Sequence, residues 1–110
     1  MTDPPYFAVI FTSLRTPEDE AGYAAMAAEM DALARRQPGY LGIESTRGAD
    51  RVGITVSYWI DEAAVAAWKR VADHLGAQRI GRERWYADYT VRVARVERSY
   101  TMATSPRAGL

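Results

Sequence analysis

The residues best suited to chemistry in this chain lie between Trp59 and Tyr89. This stretch holds the only histidine of the sequence, His74. Because histidine exchanges protons near neutral pH, His74 is a candidate general base or metal ligand. A lone histidine near the end of a predicted helix is more often a surface residue or a favourable contact with the helix dipole. Both interpretations stay open on the sequence alone.

Aromatic rings are concentrated in the same stretch and are interleaved with arginines. Such rings can wall a pocket for a flat anionic or phenolic ligand that a few donors hold in place. They can equally fill a core or an interface with arginines at its rim. Single-stranded nucleic acid also stacks on aromatic rings, but 14 basic and 14 acidic residues give no net charge to attract it. The residues concerned are Trp59, Trp68, Trp85, Tyr86 and Tyr89, with Arg79, Arg82 and Arg84.

Several other chemistries lack their usual residues. The chain has no cysteine, which excludes disulfides, thiolate metal sites and cysteine nucleophiles. One histidine without spaced carboxylates does not make a metal site. No GxGxxG or P-loop is present, and the serines lack a nucleophile elbow. We therefore predict no metal and no cofactor.

The first half of the chain predicts a strand followed by a helix. In residues 6–14, odd-numbered and even-numbered positions alike are apolar up to Phe11. This pattern is typical of a strand covered on both faces. Thr16 before Pro17 and an acidic cluster predicts a helix start, with Thr16 as the cap. An apolar stripe at spacings of three and four then runs to about Ala34.

A hairpin follows. Residues 40–47 and 51–60 are strand-like, and the short link 48–50 between them predicts a turn. Asp61 is placed to cap a second helix. The buried stripe of that helix is predicted to run through Ala64, Val65, Trp68, Val71, Ala72 and Leu75.

The end of the chain is less regular. Gly76 is expected to break the second helix, and a helical or irregular stretch then reaches about Asp88. Residues 89–100 alternate apolar groups on both faces and predict the last strand. The domain is predicted to cover residues 1–100, with 101–110 as a flexible tail.

The predicted order βαββαβ is that of a ferredoxin-like α+β fold, a four-stranded antiparallel sheet with helices on one face. Two helices cover one face of such a sheet, yet three of the strands carry apolar side chains on both faces. A second copy of the chain is the simplest cover for the other face, so we predict a homodimer. The alternative cover, the chain's own tail, is too polar to do so well.

The segment SYWIDEAAVAAWKRVADH, residues 57–74, resembles the antibiotic biosynthesis monooxygenase family. Members typically show an aromatic strand end, an acidic cap, a Glu-Ala pair and two aromatic or histidine-like positions six residues apart, here Trp68 and His74. The resemblance spans about residues 6–98. It implies a dimeric α+β barrel with a pocket between sheet and helices, and several members oxidise aromatic polyketides with dioxygen and no cofactor.

That chemistry requires a protein to deprotonate an electron-rich phenol, hold the anion and admit dioxygen to a dry pocket. The resemblance makes His74 the candidate base and Arg79 or Arg92 the anion stabiliser. Haem-degrading relatives use asparagine, tryptophan and histidine, and the lack of any asparagine here argues against their chemistry. A haem-binding relative stays the less favoured alternative, since His74 could ligate a haem iron in another arrangement. The substrate would be bound by Trp59, Trp68, Trp85 and Tyr86.

We therefore expect a cofactor-independent monooxygenase that acts on a small aromatic, phenolic or quinone-like compound. The alternative is a non-catalytic homodimer that binds a small ligand or is associated with stress. Burial distinguishes the two, since a base must open into a closed pocket, whereas an exposed His74 favours the alternative. The N-terminal residues lack a signal-peptide pattern and no apolar run has membrane-spanning length, so the cytoplasm is expected and membrane or nucleic-acid partners are not.

Overall fold

The computed structural model describes residues 2–78 and 82–104. Four antiparallel strands form one sheet, and two long helices and one short helix connect them. This architecture confirms the predicted ferredoxin-like α+β fold. The strands are β1 (Tyr6–Arg15), β2 (Tyr40–Arg47), β3 (Val52–Trp59) and β4 (Tyr86–Val96), in the spatial order β2-β3-β1-β4, and the helices are α1 (Glu20–Arg35), α2 (Glu62–Gln78) and α3 (Arg82–Trp85).

The register of β1 defines the two faces of the sheet. Val9 lies opposite Ser57 on β3 and Val93 on β4. Directly opposite residues of antiparallel strands point to the same side. Val9 packs against the core formed with the helices, so we call its side the helix side. Ile10 and its neighbours point the other way, to what we call the open side.

The core is built around two stacked tryptophans. Trp59 on β3 is fully buried, and its ring stacks on Trp68 of α2 with centroids 5.6 Å apart and planes inclined by 21°. The Trp59 indole Nε1 donates a hydrogen bond to the Ser57 hydroxyl at 2.8 Å, so its one polar atom is satisfied. Ala34 and Ala64 complete the cluster. This contact sets the position of α2 over the sheet.

The cap of α1 differs from the prediction. Asp19, not Thr16, is the N-cap, and its carboxylate accepts the Gly22 N–H at 3.2 Å. Thr16 stays in the preceding loop because its backbone N–H donates to the Trp85 carbonyl at 2.8 Å and its hydroxyl donates to the Arg84 carbonyl. These bonds hold Thr16 to the end of α3.

Asp19 has a second role. Its Oδ2 accepts a hydrogen bond from the Trp85 indole Nε1 at 3.0 Å. This bond, together with the one from Gly22 and the nearby arginines, holds the pKa of Asp19 below its usual value. One carboxylate therefore links the start of α1 to the segment before β4.

Helix α2 begins as predicted but ends later. Asp61 accepts the Ala64 N–H at 2.8 Å, which confirms it as a cap. The predicted stripe is also confirmed, since its members are buried or half-buried. The predicted break at Gly76 is wrong, because α2 continues to Gln78. A single glycine costs a helix only about 1 kcal/mol, and burial of Leu75 in the same turn opposes that cost.

Strand β4 starts and stops earlier than residues 89–100. It begins at Tyr86, which pairs with Arg15 after a register shift in β1. It ends at Val96, which lies opposite Tyr6, the first residue of β1. No length of β1 remains to pair with residues 97–100. Of the tail predicted at 101–110, residues 105–110 lie outside the described part of the chain.

Replacing Trp68 with alanine is expected to lower the free energy of unfolding by roughly 3–5 kcal/mol, since it removes a buried ring that packs on Trp59. Urea denaturation of the purified variant measures the loss. The exposed neighbour Lys69 supplies the control, because Lys69→Ala should change stability by only about 0.5 kcal/mol. A loss near zero for Trp68→Ala would mean that α2 presents a different face to the sheet.

A second prediction concerns pH. A carboxyl whose pKa is lowered by folding stabilises the folded state above its unfolded pKa, and this contribution disappears as the pH falls through the folded value. Asp19→Asn should therefore be less stable than the parent at about pH 7, and the gap should close below about pH 4. Urea denaturation midpoints measured across this pH range test the prediction, and Asp3→Asn, at an exposed position, is the control. A gap that is constant with pH would contradict the assigned role of the carboxylate.

Candidate functional site

An aromatic cluster occupies the helix side of the sheet where β1 ends and β4 begins. Phe11 of β1 packs edge-on against Tyr86 and stacks on Tyr89, each with ring centroids 5.4 Å apart. Tyr23 of α1 contacts Tyr86 at 5.8 Å and Trp85 at 6.4 Å. We call these five residues the aromatic cluster. Residues from α1, β1 and β4 thus converge at one end of the molecule.

Apolar side chains continue from this cluster along the helix side of β4. Tyr89, Val91 and Val93 lie there because they pair with Ser13, Phe11 and Val9 of β1. Their exposed fractions are 40%, 49% and 54%. Helix α2 contacts β1 and β3, which leaves these three side chains accessible. We call them the apolar strip, and such a surface suits the face of a flat, apolar ligand.

Two arginines surround Tyr23. The buried Arg15 guanidinium lies 3.9 Å from the centre of the Tyr23 ring, and it donates to the Trp85 carbonyl at 2.7 Å. Arg47 donates to the Tyr23 hydroxyl at 3.2 Å. A guanidinium over an aromatic face is attracted by the ring electrons. Positive charge is therefore concentrated beside the aromatic cluster.

Tyr86 is the phenol whose chemistry this environment changes most clearly. Burial raises the pKa of Tyr86 well above its usual value, and the neighbouring Tyr23 hydroxyl raises it further. Arg47 and Arg15 oppose the shift but do not reverse it. Tyr86 therefore keeps its proton at neutral pH and can act as a hydrogen-bond donor but not as a base.

A cavity of about 350 Å³ opens beside the cluster, between the start of α1 and the turn that joins β2 to β3. Tyr23 contributes both to this cavity and to the aromatic cluster. We call it the arginine cavity, and its lining residues are Arg15, Pro17, Glu20, Tyr23, Arg47, Gly48, Ala49 and Arg51.

The four aromatic residues predicted to bind substrate divide between two places. Trp59 and Trp68 form the core stack and are 0% and 9% exposed, so a ligand could not reach Trp59 without repacking. Trp85 and Tyr86 belong to the aromatic cluster. Trp85 is itself buried, which leaves Tyr86 as the more accessible of the two.

Of the three residues predicted for catalysis, the structure describes His74 and Arg92, and they lie on opposite sides of the sheet. His74 is exposed on α2, on the helix side. Arg92 lies opposite Ile10 and is therefore on the open side. In a single chain Arg92 and Tyr86 therefore lie on opposite sides of the sheet. Arg79 lies outside the described residues.

Sequence reasoning missed Arg15, Arg47 and Tyr23 as possible site residues. Arg15 had a usable signal, because it shares the parity of Val9 and Phe11 at the end of an apolar strand and is a charge on the face that must be covered. Tyr23 was assigned to the apolar stripe of the helix alone. Arg47 lies at the end of a strand, and an arginine at that position gives no indication in the sequence of a functional role.

Two negative findings apply to residues 2–78 and 82–104. No three side chains of histidine, aspartate or glutamate in this part of the chain are grouped closely enough to hold a metal ion. No helix there has both the length and the apolar character needed to cross a membrane.

The sequence and the fold both match known proteins. The chain is 49% identical over 96 residues to YqjZ of Bacillus subtilis, itself uncharacterized, with 87% of this chain and 83% of that protein covered. It is 30% identical over 95 residues to a jasmonate monooxygenase of Pyricularia oryzae, covering 84% of this chain but only 44% of that protein, less than half its length.

A solved structure shares the fold. SnoaB, a cofactor-independent oxygenase from Streptomyces nogalater, is similar with a TM-score of 0.65 and 15% identity, over 90% of this chain and 98% of that one. The family model described as antibiotic biosynthesis monooxygenase matches residues 6–80. The chain therefore belongs to the antibiotic biosynthesis monooxygenase family.

Proposed function

We propose that this protein is a monooxygenase that uses dioxygen without a bound cofactor to oxidise a small aromatic, phenolic or quinone-like compound. The observation that carries the proposal is the apolar strip, exposed on the helix side of β4 next to the aromatic cluster. A flat ring laid on the strip would remove apolar surface of both partners from water. Family membership supports the reaction class.

The residues around the strip suit an electron-rich phenol. Phe11 and Tyr89 offer ring faces for stacking. Tyr86, which keeps its proton, can donate a hydrogen bond to a substrate oxygen. The positive charge of Arg15 and Arg47 favours the substrate's anionic form over its neutral form. Together these groups would bind the ring and stabilise the anion that reacts with dioxygen.

The chemistry balances without an external reductant. When a phenol becomes a quinone, one oxygen atom of dioxygen enters the ring and the other leaves as water, and the substrate supplies the electrons and the hydrogen atoms. The protein must then only accept and return a proton. His74 is our proposed base because it is the one histidine of the chain.

The exposure of His74 also favours a second candidate function, a homodimer that binds a small aromatic ligand and does not turn it over. In that case the aromatic cluster and the apolar strip would bind the ligand, and no residue would be needed as a base. Binding and oxygen uptake separate the two functions, because only the enzyme consumes dioxygen.

The test is a screen of phenols, quinones and haem with purified protein under air and under nitrogen, followed by absorbance, mass and an oxygen electrode. The enzyme is expected to consume dioxygen with a phenolic substrate and no added flavin or metal. His74→Ala should remove turnover without altering the urea midpoint, and Lys69→Ala should change neither. Unchanged turnover in His74→Ala would discard His74 as the base, and binding without oxygen uptake would favour the second function.

We also propose that two chains pair through the open side of the sheet. This side carries exposed apolar residues, among them Leu14, Val52 and Ile54 at 39%, 43% and 42%. Exposed apolar side chains on one face of a sheet favour association with a second copy.

The open side also carries two polar residues, Tyr58 and Glu44, whose hydrogen bond to each other is compatible with burial in an interface. Tyr58 donates to the Glu44 carboxylate at 2.8 Å. This bond, with burial as a lesser cause, raises the pKa of Tyr58 to about 12. Both groups would therefore remain hydrogen-bonded to each other in an interface.

Ile54→Glu is expected to convert the dimer into a monomer, because it places a charge within the proposed interface. Sedimentation velocity at micromolar concentration measures the change. Ala28→Glu introduces the same charge at an exposed position of α1 and should leave the dimer intact. A parent protein that sediments as a 12.3 kDa monomer would refute the interface.

A further inference from the structure

The arginine cavity carries an unusual balance of charge. Of the residues that line it, Arg15, Arg47 and Arg51 are cations and Glu20 is the one anion. Charges of one sign in a concave, partly desolvated site raise the local concentration of ions of the opposite sign. The cavity therefore presents a positive field to solvent.

The single carboxylate is shared. Glu20 Oε1 lies 3.3 Å from Nη2 of Arg15 and 3.1 Å from Nη1 of Arg51. Its side chain is 67% exposed, whereas that of Arg15 is 2% exposed. The ion pair of this buried guanidinium is with an exposed, shared carboxylate, and Asp19 adds a weaker attraction, so its charge is only partly compensated.

Arg47 contributes a further charge that its neighbours do not neutralise. The partners that the structure describes for its guanidinium are neutral oxygens: the Ser13 hydroxyl at 2.8 Å, the Tyr23 hydroxyl at 3.2 Å, and the carbonyls of Arg51 at 2.6 Å and Ser13 at 3.4 Å. These bonds fix the side chain in place but leave its charge available.

We propose that the arginine cavity binds the oxyanion of a small ligand, a carboxylate or phosphate group, with Arg51 as the direct contact, Arg47 as a nearby positive charge and Glu20 as an internal competitor. Guanidinium groups suit this task because their fork of N–H donors matches the geometry of an oxyanion. The buried Arg15 adds positive charge to the cavity lining. The volume of about 350 Å³ is sufficient for a small molecule around that group.

The turn beneath the cavity is already ordered for binding. Arg51 adopts a left-handed conformation with φ of 71°. Its backbone N–H donates to the Gly48 carbonyl at 3.0 Å, and the Gly48 N–H donates to the Val52 carbonyl at 2.9 Å. Little conformational entropy would be lost there when the anion binds. Arg15 and Arg47 also belong to the proposed oxygenase site, where they favour the substrate anion. Anion binding in this cavity needs neither the apolar strip nor dioxygen, so the two proposals can fail separately.

The test is a titration of the full chain with inorganic phosphate and, separately, with succinate, followed by amide chemical shifts in NMR spectra at constant ionic strength set by chloride. Three variants accompany the parent. Arg51→Asn removes one cation and keeps a residue type that tolerates positive φ. Glu20→Gln removes the competing carboxylate. Arg70→Gln, at an exposed position of α2, is the matched charge control.

We expect saturable binding of phosphate or succinate, with shifts centred on residues of the turn and the start of α1. Arg51→Asn should weaken it about tenfold, which corresponds to about 1.4 kcal/mol. Glu20→Gln should tighten binding, and Arg70→Gln should leave it unchanged. The two probes distinguish a phosphate from a carboxylate as the better ligand group.

Three results would overturn the proposal: no saturable binding of either probe, equal weakening by Arg51→Asn and Arg70→Gln, or no tightening in Glu20→Gln. If Arg51→Asn fails to fold, as judged by its NMR spectrum, the proposal is decided by whether Glu20→Gln tightens anion binding. Oxygen-dependent turnover is not part of this readout, so loss of the oxygenase hypothesis would leave the anion site untouched.

Discussion

The stack of Trp59 on Trp68 fixes where the second helix lies over the sheet, and several other features follow from it. Since Trp59 points from β3 toward the helices, α2 lies over β3 and the central strand β1. In the described part of the chain its contacts with β4, the edge strand on the other side of β1, are fewer than those with β1 and β3. The apolar groups on the helix side of that strand are thus left accessible by the packing of the core, which gives the protein a surface that can accept a flat ligand.

The far end of the sheet is organised by polar contacts instead. Arg15 leaves β1 on the covered side and is therefore buried, where it holds the Trp85 carbonyl and faces the Tyr23 ring. Asp19, at the start of α1, connects that helix to the same region because its carboxylate accepts a hydrogen bond from the Trp85 indole. Buried charges require partners, so these residues constrain α1, α3 and β4 relative to one another. The aromatic cluster and the arginine cavity are two products of this arrangement.

The candidate functions use the two sides of the sheet differently. The helix side combines apolar surface, a protonated phenol at Tyr86 and positive charge, which suits an electron-rich aromatic compound. The open side has exposed apolar residues at Leu14, Val52 and Ile54, which suits a second copy. Arg92 belongs to the open side by its register with Ile10.

The sequence by itself determined the elements, their order and the faces of the helices. Periodicity is a local property, and it predicted the buried stripe of α2, the hairpin after β2 and the parity of β4 correctly. The same local signals failed at boundaries: Thr16 has the residue type of a cap, but hydrogen bonds from the distant segment before β4 hold it outside α1. Strand β4 likewise ends where its pairing partner β1 runs out. Because β1 is far from β4 in the sequence, local patterns could not predict that end.

Only the tertiary structure decided which residues share a site. Trp59 and Trp68 have the same residue type as Trp85, yet two form the core and one joins the aromatic cluster, because burial depends on what packs against each ring. Arg47 and Arg51 flank one turn, whereas Arg15 and Tyr23 come from β1 and α1, and no sequence pattern links these three segments. Their proximity results from the crossing of α1 over the sheet and the turn between β2 and β3, since a three-dimensional site is defined by contacts between segments and a sequence pattern only by contacts within one.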